Sequence, residues 1–540
     1  MQCDSCGATN RPGAAFCGSC GGATSQVRHD SAGSGTSIRV VDAASPVDPA
    51  PSWLHVTAAA QQQEPVIKPG TQASDATRYL CAAVHLDSQL AEQVISEILE
   101  QEYKAPPSSP DVDLVPVVLH ALAARARHLV RDVILTLLIL FALYCFFTLR
   151  PFELWVTLVL TWVVVVGETL VATYGVVAHD LRAGVFRPDA VSVPNRAKVR
   201  QRLEQIAAFG RADVTVYSSY SPFVGSGIPI EAWSIALDIH RSSEGRVAEP
   251  FTALDIHDFV LAGLRDGHSA KVEITDRIFV DGRDIRGDRR FLPTELSAPR
   301  AQVDPGLVRS LTLDPEDRAR TYLTFEVSGW RGQLVLSTFL RFVVTPHELF
   351  VEVSHSLLTP VRDEFQEVDR LLPQPTARQA ARIGWRSLLR LPRSLFRAPG
   401  AVVRFLFGPV SDRRRMARQR REIRSGLRFN YGAPISPRET VSDPLYQRYF
   451  QKLDKDLYVK VLEKRLLKAL VEFFEFKGID TAELVERQST IQNHGVYIAG
   501  GGSLIAGSVA AGAGARATSG SAKGAGTARQ RLTSATAKRG

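Results

Sequence analysis

At 540 residues, with 45% hydrophobic and 22% charged side chains, the chain exceeds one domain and is neither fibrous nor wholly disordered; it fits globular modules with a small membrane part. Basic residues number 65 against 56 acidic, a formal net charge of +9 that is spread unevenly. Six cysteines, four of them in one cluster, argue against a scattered disulfide framework and for a reducing compartment.

The chain opens with Cys3-x2-Cys6 and Cys17-x2-Cys20. Each pair presents two thiolates from a tight knuckle, and two knuckles close a tetrahedral Zn2+ site in a peptide too short for a core of its own. With its Cys-Gly-Ala, Asn10-Arg11-Pro12-Gly13-Ala14 and Phe16-Cys17, residues 1–22 resemble the short zinc-ribbon family that opens many bacterial proteins. The resemblance implies a structural zinc ion on Cys3, Cys6, Cys17 and Cys20 and a module that binds a protein partner. The first twenty residues hold no apolar h-region, so no secretory signal is expected.

Residues 23–75 turn to Ser, Ala, Gly, Pro and Gln and read as a flexible linker. A helical segment over 76–130 follows, broken by prolines between Pro106 and Pro110. Cys81 and His85 lie one turn apart there; with no second pair nearby they read as small core residues rather than metal ligands. The region 131–178 holds two apolar runs, Val133 to Leu149 and Leu154 to Val177, separated by Arg150-Pro151-Phe152-Glu153. A helix rising about 1.5 Å per residue needs roughly 20 residues to cross the hydrocarbon, which predicts a two-helix transmembrane hairpin. Arg125, Arg127 and Arg131 before it, and Arg182, Arg187, Arg196, Lys198, Arg200 and Arg202 after it, predict cytoplasmic N- and C-termini at the inner (plasma) membrane. Glu168 is a carboxyl inside the second run, costly there and a functional candidate. Antiparallel helices whose facing positions sum to about 303 would bring Thr136 within hydrogen-bond reach of it.

Residues 195–365 read as a cytoplasmic α+β domain with an antiparallel sheet. Strands are expected at 213–218, 232–240 and 271–280, a capped helix at 252–265, and a three-strand meander from 321 to 353, where Leu323, Phe325 and Val327 alternate with Tyr322, Thr324 and Glu326. His347-Glu348 starts like a zincin, but the second histidine is at 355 and the pattern is that of a strand. No Walker A, G-x-S-x-G or kinase signature occurs in the sequence. The Ser/Gly loop 218–227 reads as an ordinary loop, although its N–H groups suit a phosphate. His240, His257 and His268, with Asp238, Asp255 and Asp258, would form an active site only if the fold gathers them.

Residues 374–428 form an Arg-rich amphipathic region: fifteen arginines against Asp412 and Glu422 give +13 over 378–428. Arg378, Arg382, Arg386 and Arg390 recur every four residues as a basic ridge, and a break is expected at Pro392. With apolar side chains interleaved, the segment suits the surface of an anionic lipid bilayer; nucleic acid is the alternative polyanion. A helical segment over 442–488 starts at Asp443-Pro444 and suits self-association or docking on the α+β domain. The Gly/Ala-rich tail 491–540 is either disordered or a self-assembly and partner-binding signal. The expected protein is a multidomain membrane-anchored scaffold or regulator, possible as a homo-oligomer. The competing readings are an enzyme centred on the α+β domain and a membrane-tethered nucleic-acid binder.

Overall fold

The computed structural model describes residues 74–486 apart from 244–245, 266–271 and 427–428. The four N-terminal cysteines and the 491–540 tail lie outside the described residues.

Ser74 caps α1 (Asp75–Leu86) by accepting from the Thr77 N–H. Asp87 then ends α1 and caps α2 (Ser88–Val94), its carboxylate taking the N–H groups of Gln89 and Leu90. The helical stretch expected from 76 up to the proline break is therefore two helices, with a π turn Ile95–Leu99 at the end. The hairpin follows as α3 (Leu114–Phe147) and α4 (Pro151–Leu170), which runs on through a π-helical stretch Val171–Val177. Pro151 sits in the first turn of α4, where a missing N–H costs nothing. Only the first part of the second apolar run is free of the rest of the protein. Its end packs with α1 and the N-terminal half of α3: Val177 and Leu181 are fully buried in a helical core with Leu80, Val84, Val117 and Val118. That core also takes in Leu203 and Ile206 of α5 (Ala197–Phe209).

The α+β domain is built on six strands: β1 (Val214–Tyr217), β2 (Ile228–Asp238), β3 (Val272–Asp281), β4 (Ala319–Gly329), β5 (Leu334–Val344) and β6 (Glu348–Leu358), in the order β1-β3-β4-β5-β6-β2. The expected β4–β5–β6 meander is present. The sheet is mixed rather than antiparallel, because the chain leaves β1 at one edge, forms β2 at the other, and returns through α6 (Ala253–Arg265) to lay β3 parallel to β1.

Alternation decides the faces. Leu323, Phe325, Leu340, Phe342, Val351 and Val353 share one face, covered by α6 and by α9 (Tyr449–Phe476). Ile256, Val260 and Leu264 recur every four residues on α6 and are fully buried there, each worth roughly 1.5–3 kcal/mol. Leu462, Leu466, Leu470 and Phe473 do the same for α9, which thus docks on the sheet domain as expected. It starts later than Asp443, because Ser442 bridges to Val361 and the Asp443 N–H donates to the Pro360 carbonyl, which ties that stretch to the end of β6. The opposite face carries Thr324, Glu326 and Ser337, yet it too is covered: Phe223, from the Ser/Gly loop, stacks on Phe339 at 3.8 Å and meets Phe279 and Tyr322 edge-on. A third cluster joins Val214, Val216, Ile278 and Val280 to Leu311 of α7 (Pro305–Leu313) and to Phe429 and Tyr431.

The Arg-rich segment is one continuous helix, α8 (Ala377–Arg424), opened by a capping box of Thr376 and Gln379. The break expected at Pro392 does not occur. A proline removes one intrahelical bond, but α8 is seated on α3 and α4 on either side of Pro392, at Gly384 and Ala398, and packing overrides the local cost.

Candidate functional site

The foot of the hairpin gathers a buried set of charges. On α3, Arg127, His128 and Arg131 fall on one face at helical spacing and turn toward α4, which brings Glu168. The Glu168 carboxylate lies 3.2 Å from Arg127 Nε, 3.2 Å from His128 Nδ1 and 3.6 Å from Arg131. Arg131 also binds Asp132 at 2.7 Å. Thr136, expected as the partner of Glu168, instead donates to the carbonyl of Asp132 in its own helix at 2.7 Å. The reason is stagger. Leu135 packs with Val165, so facing positions sum to 300 rather than 303, and the three-residue slip sets Glu168 opposite Asp132.

A line of polar contacts continues from this clasp into α1. Arg127 donates to His85 Nδ1 at 3.2 Å and to the His85 carbonyl at 3.2 Å, while His85 Nε2 lies 3.0 Å from His120 Nδ1. Since His85 Nδ1 accepts from a guanidinium, its proton sits on Nε2 and is donated to His120. Burial, reinforced by His120 and Arg127, pulls the His85 pKa down to about 2, so this imidazole stays neutral. Cys81 is the small buried core residue the sequence indicated; His85 is buried too, but it serves as the link between α1 and the clasp.

The ridge residues Arg378, Arg382, Arg386 and Arg390 are all exposed. Beside them Trp162 Nε1 of α4 donates to the Gly384 carbonyl at 3.1 Å, and Ala398 is fully buried against Leu135 and Val165. Gly384 and Ala398 are about 21 Å apart along α8, yet their α4 contacts Trp162 and Val165 are about 4.5 Å apart along that helix. This part of α8 therefore crosses the hairpin steeply. The crossing lies about 4.5–9 Å from Glu168 on the side of the hairpin turn. Trp385, Leu389, Phe396 and Phe405 project from α8 with exposures of 63%, 66%, 89% and 59%.

Within the sheet domain the histidines are not gathered. The His240 ring meets His347 at 4.9 Å, His268 lies outside the described residues, and His257 is held between Asp276 at 2.7 Å and Asp258 at 3.0 Å. Burial works against the charged imidazole of His257, but hydrogen bonds and attraction from Asp276 and Asp258 prevail and raise its pKa above 6.5. Its protonation therefore stabilises the fold fully below pH 6.5, and that contribution fades as pH rises through the raised value. Denaturant midpoints are expected to fall across that range in the native chain, and His257→Gln to flatten the dependence. The Ser/Gly loop does present N–H groups to an anion, but the anion is internal: Gly225 and Gly227 donate to Glu439 Oε1 at 2.9 and 3.0 Å. Sequence reading passed over Glu439, although Ser436-x-x-Glu439 is a capping-box spacing. Among the described residues no group of three or more His, Cys, Asp and Glu is set to hold a metal.

A family model for the AbeC-like domain matches residues 232–506, just over half of the chain. The match starts within β2, takes in β3 to β6, α8 and α9, and leaves β1 and the hairpin outside. It overturns the zinc-ribbon assignment of residues 1–22, since the recognised family lies in the C-terminal region. No curated protein and no solved structure matches the chain.

Proposed function

The chain belongs to the family defined by the AbeC-like domain, and from that premise we propose that it is a membrane-anchored scaffold or regulator of the inner (plasma) membrane. In this reading α3 and α4 cross the bilayer as a hairpin, and α8 holds the family domain against the anionic cytoplasmic leaflet. The hairpin supports it by its surface. Leu137, Leu140, Phe147, Trp155 and Val163 are exposed, and only 17% of the most apolar window of either helix is buried in the protein. A core helix would be covered; an apolar surface of this extent calls for lipid. The turn has only Arg150, paired with Glu153 at 3.1 Å, whereas the other end is rich in arginine, the bias of a cytoplasmic side.

The steep crossing of α8 carries the second half of the reading. A helix lying in the interface sinks its apolar face roughly 5–10 Å into the boundary between headgroups and acyl chains. The Trp162 and Val165 contacts lie about 4.5–9 Å beyond the clasp, which is that depth. Trp385, Leu389 and Phe396 then meet acyl chains while the ridge arginines reach back to phosphates. The interleaved apolar side chains favour lipid over nucleic acid for these arginines.

Each arginine near an anionic surface contributes up to about 1 kcal/mol. A nitroxide at Leu389 of the full chain, reconstituted in bilayers of graded anionic content, is expected to sink and become immobile as that content rises. With Arg378, Arg382, Arg386 and Arg390 all changed to Gln, the response should largely vanish. An identical response in both chains, or a salt-dependent shift with DNA or RNA alone, would contradict the lipid assignment.

A further inference from the structure

On the water side of the clasp, α3, α5 and the C-terminal part of α8 enclose a cleft of about 760 Å3 with seven cationic and three acidic side chains in its walls. Its acids do not neutralise it. Glu100 is shared by Arg125 at 3.1 Å and Arg415 at 2.7 Å, Glu102 meets Lys198 at 3.7 Å, and Asp412 makes no ion pair with any described residue. Four arginines are left without a carboxylate partner. Arg196 and Arg413 are exposed and make no side-chain hydrogen bond among the described residues, and Arg420 donates to the Tyr103 hydroxyl at 2.7 Å. The fourth, Arg202, is only 4% exposed, and its guanidinium is held by neutral acceptors alone: the carbonyls of Ile98 and Lys104, each at 3.0 Å, and the Gln205 side chain at 3.1 Å. A buried guanidinium with no carboxylate in direct contact is costly, and burial draws its pKa down to about 10 against the opposing attraction of Glu102. Arg415 adds a buried Nε with no partner.

Between these cations the walls are apolar, from Leu99, Leu122, Val199 and Met416. We propose that the cleft binds a phosphate group carried on an apolar body, and that its occupant is the headgroup of an acidic membrane phospholipid. Guanidinium forks match phosphate oxygens, and the apolar walls fit the glycerol and first methylenes of a lipid better than a sugar or a bare ion. Position agrees. Arg125 lies one turn or less from Arg127 of the clasp, so the mouth of the cleft sits at headgroup level if the hairpin spans the bilayer. The phosphate site stands on the cleft alone; only its lipid source rests on the membrane reading.

The test uses the full chain beside Arg196→Gln/Arg413→Gln, two exposed positions whose change leaves the clasp and the ridge intact. Both are extracted from bilayers of phosphatidylcholine with phosphatidylglycerol, and acidic lipid retained per chain is measured by mass analysis. Thermal protection by phosphatidylglycerol micelles, inorganic phosphate and pyrophosphate is read in parallel. Retention and lipid protection are expected in the native chain and should fall on the order of tenfold in the variant. Protection by phosphate or pyrophosphate alone, lost in the variant, keeps the phosphate site and overturns its lipid occupant. Equal retention and equal protection in both chains overturn the site. Either result leaves hairpin insertion to be judged by label depth, so the two readings fail separately.

Discussion

Glu168→Gln is expected to destabilise the folded chain by about 3–5 kcal/mol, the usual cost of removing one partner from a buried charge cluster. The carboxylate is the shared counter-ion of Arg127 and Arg131 and lies 3.2 Å from the His128 ring, and its side chain is 11% exposed. Without it these cations keep only Asp132 nearby, and Arg127 loses its anchor between α4 and His85 of α1. Thermal unfolding of the full chain in bilayers checks this, with Thr136→Val as the contrast. That hydroxyl bonds only its own helix carbonyl, so its loss should cost less than about 1 kcal/mol. A large effect at Thr136 and a small one at Glu168 would restore the pairing that the sequence indicated.

The other large effect is expected at Gly227, where the loop over the sheet turns back into β2. Its φ is +89°, and an added Cβ would stand 2.2 Å from the Leu357 carbonyl oxygen and 2.7 Å from the Leu358 Cα, both backbone atoms of β6. Neither can move without opening the sheet. Gly227→Ala therefore combines left-handed strain of about 1–3 kcal/mol with displacement of the loop. The displacement would free Gly225 and Gly227 from Glu439 and lift Phe223 from Phe339. We expect a loss of about 4 kcal/mol or more, at the diagnostic end for a single substitution. It should appear first as hydrogen exchange at β2 and β6. Gly287→Ala, also at positive φ but with open space around it, should cost only the strain.

What the sequence made legible was local. The apolar runs marked the hairpin, period-two alternation marked β4, and a capped helical stretch at 252–265 marked α6. What it hid depends on relations between distant segments. The stagger of α3 on α4 decides whether Glu168 meets Thr136 or two arginines and a histidine, and a three-residue slip leaves no trace in either apolar run. The parallel pairing of β1 with β3 joins segments some 60 residues apart around an intervening strand and helix. α8 crosses Pro392 unbroken because of its seat on the hairpin, which no window of its own sequence contains. The basic cleft is the clearest case, since its cations come from stretches near residues 125, 200 and 415 that share no local pattern.

The measurement that bears most directly on the membrane reading is a depth profile of nitroxide side chains in the reconstituted full chain. Labels go at Leu137, Leu140 and Val163 of the hairpin and at Trp385, Leu389 and Phe396 on one face of α8, with collision rates toward oxygen and a water-soluble reagent compared at each. Deep hairpin labels and three α8 labels at one common shallow depth are expected, as required of one face of a helix lying in the interface. Water-exposed hairpin labels would contradict the anchor, and α8 labels in bulk water beside a deep hairpin would contradict the docked arrangement.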